Sequence, residues 1–437
     1  MGVLGKAREL AENTPAHRNR AVDFYRVVAF AMVVIGHWLV NAFHCGDEGL
    51  TMARILIVQP WSQYLTWVFQ VMPVFFFVGG YSNAASWISV REDETRRRNW
   101  AASRVRRLLL PLGPLVLFWT AFALIGRWTG MDETLLTSAT RGGLIPTWFL
   151  AVYVIITLMV PVTHGLWERT GPVSVFAFGL LAVGVDYVAF TAGVEWLRWV
   201  NYAFIWLAVH QAGYWWHQGH PGRGIPVVLI AVGALALWLL VGRFGYPVSM
   251  ISIPGAEVSN SSPPTAAMMA IGAVQAGIML LAARAVARWL NETHRWAWVI
   301  LASSRMMTVY LWHTTALIAL LGLSLLVDGY GLTTTPGGIG WWASRPLWLV
   351  ALAVMLVPFI LVFGWAETTA QRRRRNPPGP LQVWSGAAIA SYGIAFLALD
   401  GANAGNALGL NVVPVMAALL GVLLTSLAWP AGGRGPQ

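Results

Sequence analysis

The chain has 437 residues, of which 57% are hydrophobic and 11% charged, with 25 Trp and a mean hydropathy of +0.60. Soluble domains carry about 25% charged residues, and none of this size could bury so much apolar side chain, so a soluble enzyme or a nucleic-acid binder is excluded. The net charge of +11 rests on 28 Arg and one Lys, gathered in short clusters between apolar runs, a pattern that orients helices in a bilayer and attracts anionic headgroups.

Twelve apolar runs are long enough to span a bilayer: 22–43, 62–90, 108–127, 146–165, 172–193, 196–217, 224–242, 265–288, 297–327, 345–365, 381–400 and 407–429. The fold class is therefore an all-α polytopic membrane protein. Residues 1–21 form a polar tail without the apolar core of a cleavable signal peptide, so the first run is expected to act as its own membrane signal. The first ten runs occupy 22–365, a basic linker with Arg372 to Arg375 covers 366–380, and 381–437 adds two helices with a packing role and a short C-tail. Of the 29 cationic residues, 21 fall in the tails and alternate loops on one side, six on the other, and two (Arg26 and Arg305) inside helices. Both termini are thereby expected in the cytoplasm, with the outer loops at 44–60, 243–264 and 328–344. The single Cys45 rules out an internal disulfide framework and a cysteine-based metal site.

Ionisable groups inside a bilayer are costly and usually line cavities. The first run, "AVDFYRVVAFAMVVIGHWLV", holds three. Eleven residues carry the helix from Arg26 back to within about 20° at His37, with Asp23 about 60° from Arg26, so all three share one face. Arg26 and His37 are roughly 16 Å apart along the axis. A planar guanidinium at the inner end suits phosphate, and a histidine in the outer half suits proton abstraction from a hydroxyl. The competing reading is an interfacial Asp23–Arg26 pair and a histidine bonded to a neighbouring helix.

In the second run, "QVMPVFFFVGGYSNAASW", Gly79 and Gly80 allow close helix approach, and Tyr81, Ser82 and Asn83 offer polar groups inside the bilayer. Arg104 and Arg107 follow one turn apart and are either a clamp for nucleotide phosphates or a positive-inside anchor. "PTWFLAVY" puts Trp148 at the outer interface of the fourth run. Asp186, late in the fifth, is expected to pair with a histidine or an arginine and, apart from Asp23, to be the one carboxylate well inside the bilayer. His210 and His217 share a face of the sixth, without a carboxylate at matching spacing that would make a metal site. The ninth, "SSRMMTVYLWHTTALI", carries Arg305 and His313 about 80° and roughly 12 Å apart, so both can face one cavity, with Tyr310 and Trp312 beside the histidine. The alternative for His313 is a core histidine satisfied by hydrogen bonds.

Together these residues resemble the membrane acyltransferase-3 family, integral-membrane O-acyltransferases of glycans, lipids and secondary metabolites. The resemblance is carried by Arg26 and His37 with ten residues between them, by Asp23 before them, and by "MPVFFFVGGY", the Arg104/Arg107 spacing, "PTWFLAVY" and "VYLWH". It covers about residues 18–365. Gly79-Gly80 stand where the family usually has Ser-Gly, and the last two helices lie outside its common core. The resemblance implies an acyl-CoA donor, with acetyl-CoA expected, entering from the cytoplasm, and an acceptor hydroxyl on an envelope glycan, glycolipid or lipid. No permanently bound cofactor and no metal are expected. Arg26 would hold donor phosphates, with Arg104, Arg107 and Arg305 as further donor-binding candidates. His37 would be general base or transient acyl carrier, supported by Asp23. His313, Tyr310, Trp148, Asp186 and Asn83 would orient substrate. The expected location is the inner (plasma) membrane, with an envelope-export partner fitting the same picture. The competing function is a twelve-helix secondary transporter, which usually shows repeated halves; no such repeat is evident.

Overall fold

The computed structural model describes residues 3–15, 18–46, 49–219, 222–372 and 377–427. Among them, ten helices are long and apolar enough to cross a membrane, and the fold is all-α and polytopic apart from one two-stranded antiparallel hairpin. Of the other expected spans, Val412–Ser426 is apolar but has 15 residues. Asn201–Gln218 is 18 residues long, and its Asn, His and Gln residues keep it outside the ten. Arg373–Arg375, Asn376 and the C-tail from 428 lie outside the described residues.

The chain divides into two compact units. The first comprises 1–86, 160–306 and 324–349; the second comprises 87–159, 307–323 and 350–437.

In the first unit, part of the polar tail is a helix, Val3–Glu12. Its Ala7 and Ala11 pack against Leu290, Trp296, Ala297 and Val299. Thr14 Oγ1 accepts from Trp296 Nε1 at 2.7 Å, and the Arg18 and Arg20 guanidiniums lie 5.5 and 5.4 Å from the same indole ring. This clasp leads into the Arg20–Val40 helix, which Asn19 caps by accepting from the Val22 N–H. The helix stops three residues before the expected 43, because Asn41–Gly46 becomes a strand. That strand pairs with Gly49–Arg54 in a register that sets Asn41 opposite Arg54. The expected outer loop 44–60 is thus a hairpin followed by two short helices, Ile55–Val58 and Pro60–Leu65. An apolar cluster of Val40, Ala42, Ile55, Leu56 and Trp341 roofs this end.

Close helix approach is borne out at Gly80, the second glycine of the pair. The Met72–Ile88 and Asn201–Gln218 helices meet so tightly that a Cβ on Gly80 would overlap the His210 carbonyl, and one on Gly213 the Phe77 carbonyl. Stacked pairs Phe76–Trp206 and Phe77–Trp216, with centroids 4.5 and 5.2 Å apart, extend this contact.

In the second unit, the basic stretch after 91 is itself helical, Glu94–Leu109, ahead of Leu112–Trp128. The last two helices, Pro380–Asp400 and Val412–Ser426, pack against the helices between 94 and 158. Thr147 Oγ1 donates to the Ile394 carbonyl at 2.9 Å, and Thr140 Oγ1 to Asn403 Oδ1 at 2.6 Å. The expected ninth run is two helices, Thr293–Ser303 and Met306–Leu325, and Arg305 sits in the turn between them rather than inside a helix. The Ile339–Gln371 helix runs six residues past the expected end at 365.

Candidate functional site

The first unit holds Asp23, Arg26 and His37 on one helix. Asp23 accepts from Arg18 Nε at 2.7 Å and from Arg26 Nη1 at 3.3 Å. Its side chain is 12% exposed, against 34% for Arg26 and 47% for Arg18, so the carboxylate is the buried partner and the guanidiniums face outward from it. Arg26 Nη2 also donates to Ser82 Oγ at 2.5 Å, and that hydroxyl donates to the Val78 carbonyl within its own helix. A long cationic side chain held from two directions loses most of its rotamer freedom before any ligand arrives, which is how a binding site is pre-organised. His37, just over three turns on, is partly exposed. Arg54, returned by the hairpin, lies close enough for its charge to act on the imidazole.

Asn83 and His210, deeper in the same unit, are joined through Nδ2 and Nε2 at 3.1 Å, and His210 is fully buried. His217, on the same helix face, meets the Tyr81 ring at 5.1 Å. Asp186, expected to pair with a histidine or an arginine, is instead held by neutral donors: Asn201 Nδ2 at 2.8 Å, the Tyr246 hydroxyl at 3.1 Å and the Ala266 N–H at 2.7 Å. Arg198 adds its charge nearby. Burial and the Asp186 carboxylate together push the Tyr246 hydroxyl well above its ordinary value, so it stays a donor. Asp186 therefore ties the 243–265 segment to the helix ends.

In the second unit, His313 is fully buried. Its Nδ1 lies 2.6 Å from the Tyr310 carbonyl, and the Tyr310 hydroxyl donates to the Pro146 carbonyl at 2.6 Å. Trp148 is partly exposed two residues on. Arg104 lies 5.9 Å from the Trp100 ring centre, and Arg107 is exposed. Arg305 belongs to the first unit and His313 to the second.

Ser82, one of the polar groups the sequence places in the second run, anchors Arg26. Three residues not singled out by the sequence reading stand out. Arg54 serves the Arg20–Val40 helix as described. Arg106, rather than its neighbours, is the buried arginine of its cluster, donating to the Ala370 and Arg372 carbonyls at 3.0 and 3.1 Å. Glu367 is a further buried carboxylate, on the helical stretch beyond the expected end of the tenth run at 365. Buried at 5% exposure, it accepts from the Met307 and Thr308 N–H groups at 3.1 and 3.0 Å and from Thr308 Oγ1 at 2.7 Å. It caps the helix that carries His313.

The fold and this helix face define a multi-pass membrane protein whose spanning helix pairs an anchored arginine with an imidazole farther along. The model of the acyltransferase-3 family, described as an acyltransferase domain, matches residues 19–365, and the chain belongs to that family. It is a membrane acyltransferase. No curated protein and no solved structure matches the chain.

Proposed function

We propose that the chain moves an acyl group, in the first instance acetyl, from cytoplasmic acyl-CoA to a hydroxyl of an envelope glycan, glycolipid or lipid, with His37 as general base. The observation that carries this reading is the stripe on the Arg20–Val40 helix: Arg26, fixed by Asp23 and Ser82, and His37 partly exposed just over three turns away. A bidentate guanidinium suits a donor phosphate. The separation of roughly 16 Å suits an extended pantetheine arm that delivers its thioester to the imidazole. Arg305, in the same unit as Arg26, is a further proposed contact for donor phosphates, and the charge asymmetry favours cytoplasmic termini in an inner-membrane protein. A neutral imidazole takes the hydroxyl proton as the oxygen attacks the thioester carbonyl, and thiol leaves. Family membership does not favour the transporter alternative.

Purified protein given acetyl-CoA and membranes as a source of acceptor should release free CoA, and His37→Ala should abolish that release while the protein remains monodisperse. Undiminished release by the variant would remove His37 from the mechanism. Solute transport without acyl consumption would replace the reading altogether.

A further inference from the structure

The hairpin that replaces the expected outer loop carries a positive charge back to the site. Asn41 directly follows the Arg20–Val40 helix and is paired across the strands with Arg54. Its Nδ2 donates to the His37 carbonyl at 3.5 Å. Arg54 is partly buried, and its charge acts on the His37 ring. The roof of Val40, Ala42, Ile55, Leu56 and Trp341 clamps the hairpin to the helix end and lowers the local dielectric, so charges there interact strongly.

A guanidinium beside a general base works against that base as soon as it takes a proton, because two cations then share a poorly solvated site. The arrangement becomes favourable only if a negative charge is created between them in the same step. Acyl transfer creates one: when the acceptor oxygen bonds to the thioester carbon, the carbonyl π pair moves onto the carbonyl oxygen.

We propose that Arg54 is the oxyanion-holding residue of this transfer, an inference that rests on the acyl-transfer reading above. The acceptor O–H proton passes to His37, the new C–O bond forms and the carbonyl oxygen becomes an oxyanion against the Arg54 guanidinium. Collapse restores C=O and breaks C–S, and the departing thiolate takes the proton from the imidazolium to leave as free CoA. Arg54 then stabilises the transition state more than either ground state, the condition for raising kcat rather than lowering KM.

Arg54→Gln and Arg54→Lys, assayed beside wild type and His37→Ala with acetyl-CoA and one membrane preparation, test this. Arg54→Gln should lower kcat about 100-fold or more, with the KM for acetyl-CoA within about threefold. Arg54→Lys should restore at least a tenth of wild-type turnover. A second reading needs no acceptor: the carbonyl stretch of bound [1-13C]acetyl-CoA should shift to lower frequency in wild type and return towards its solution value in Arg54→Gln. Unchanged kcat, a defect confined to the KM of either substrate, or an unshifted carbonyl in the wild-type complex would each overturn the proposal. Should Arg54→Gln not fold, the wild-type shift and the Arg54→Lys turnover decide it. Wild type that consumes no acetyl-CoA, or His37→Ala that keeps full turnover, would overturn the acyl-transfer reading instead.

Discussion

Asp23 and Arg26 form an i,i+3 pair in which the carboxylate is the more buried member and is shared with Arg18. Two guanidiniums therefore lean on one carboxylate at the arginine-rich end of a spanning helix. Two arginines competing for one anion are left with binding capacity to spare, so the pair orients Arg26 without saturating it. Engaged twice, and farther from His37 along the helix than Arg26 is, the Asp23 carboxylate is well placed to orient Arg26.

This predicts a divided kinetic effect. Asp23→Asn keeps the shape and one acceptor oxygen but removes the charge that aims Arg26. Steady-state assays should show the KM for acyl-CoA rising about tenfold, with kcat within about threefold of wild type. An equal fall in kcat at constant KM would place Asp23 in the chemical step.

Glu367 presents a different balance. Its two oxygens take up two N–H groups of the first turn of the Met306–Leu325 helix together with the Thr308 hydroxyl, and a carboxylate there also faces the positive end of the helix dipole. Glu367→Ala leaves these buried donors without that acceptor and should cost about 2–3 kcal/mol. Glu367→Gln keeps one oxygen and should cost about half as much. Thermal unfolding in detergent, followed by tryptophan fluorescence, reads the order Ala, Gln, wild type from least to most stable.

Much of this architecture is legible from hydropathy and charge alone, because a bilayer forces its spans to be long, apolar and helical. The Asp23, Arg26 and His37 stripe is equally legible, since helical periodicity needs no tertiary information. Arg54 is not. Its strand segments, "NAFHCG" and "GLTMAR", contain few β-branched residues, and the pairing is supported by distant groups: the Cys45 N–H donates to the Leu332 carbonyl, and His44 Nδ1 lies 3.3 Å from the Thr334 carbonyl. Ser82 is legible as a polar group in the second run, but its pairing with Arg26 is not, because the two lie 56 residues apart on different helices. Glu367 escaped because an apolar window ends a helix at 365 where the backbone continues to 371.

Gly80 and the His210 carbonyl occupy a space that a single methyl group would fill. Both helices would have to separate to admit one, and overpacking of this kind typically costs 1–3 kcal/mol. Ser82 lies two residues along the same helix and positions Arg26, so Gly80→Ala should lower the unfolding temperature and, below it, weaken acyl-CoA binding about tenfold. Gly184→Ala, in the Val173–Ala192 helix, where a Cβ would meet nothing within 4 Å, serves as the comparison. Equal stability of both variants would show that this helix pair has more room than the backbone contact allows.

The last two helices depend on the same kind of contact at Gly421, where a Cβ would collide with the backbone N–H and side chain of Ala390, and at Gly393, where it would meet Ala418 and the Pro414 carbonyl. Neither helix contributes an ionisable group to the interface, so their hold on the second unit comes from close packing and from the Thr147 and Thr140 hydrogen bonds. Gly421→Val should therefore lower stability by about 3 kcal/mol, whereas Leu420→Ala, at a side chain 46% exposed, should change it little. Breaking Thr140–Asn403 with Asn403→Ala should cost about 1–2 kcal/mol and add to the Gly421→Val loss, because distant sites without shared partners combine additively. Detergent unfolding curves of the two single variants and the double variant measure that sum. A double variant no less stable than Gly421→Val alone would mean that the hairpin has already detached once its glycine contact is lost.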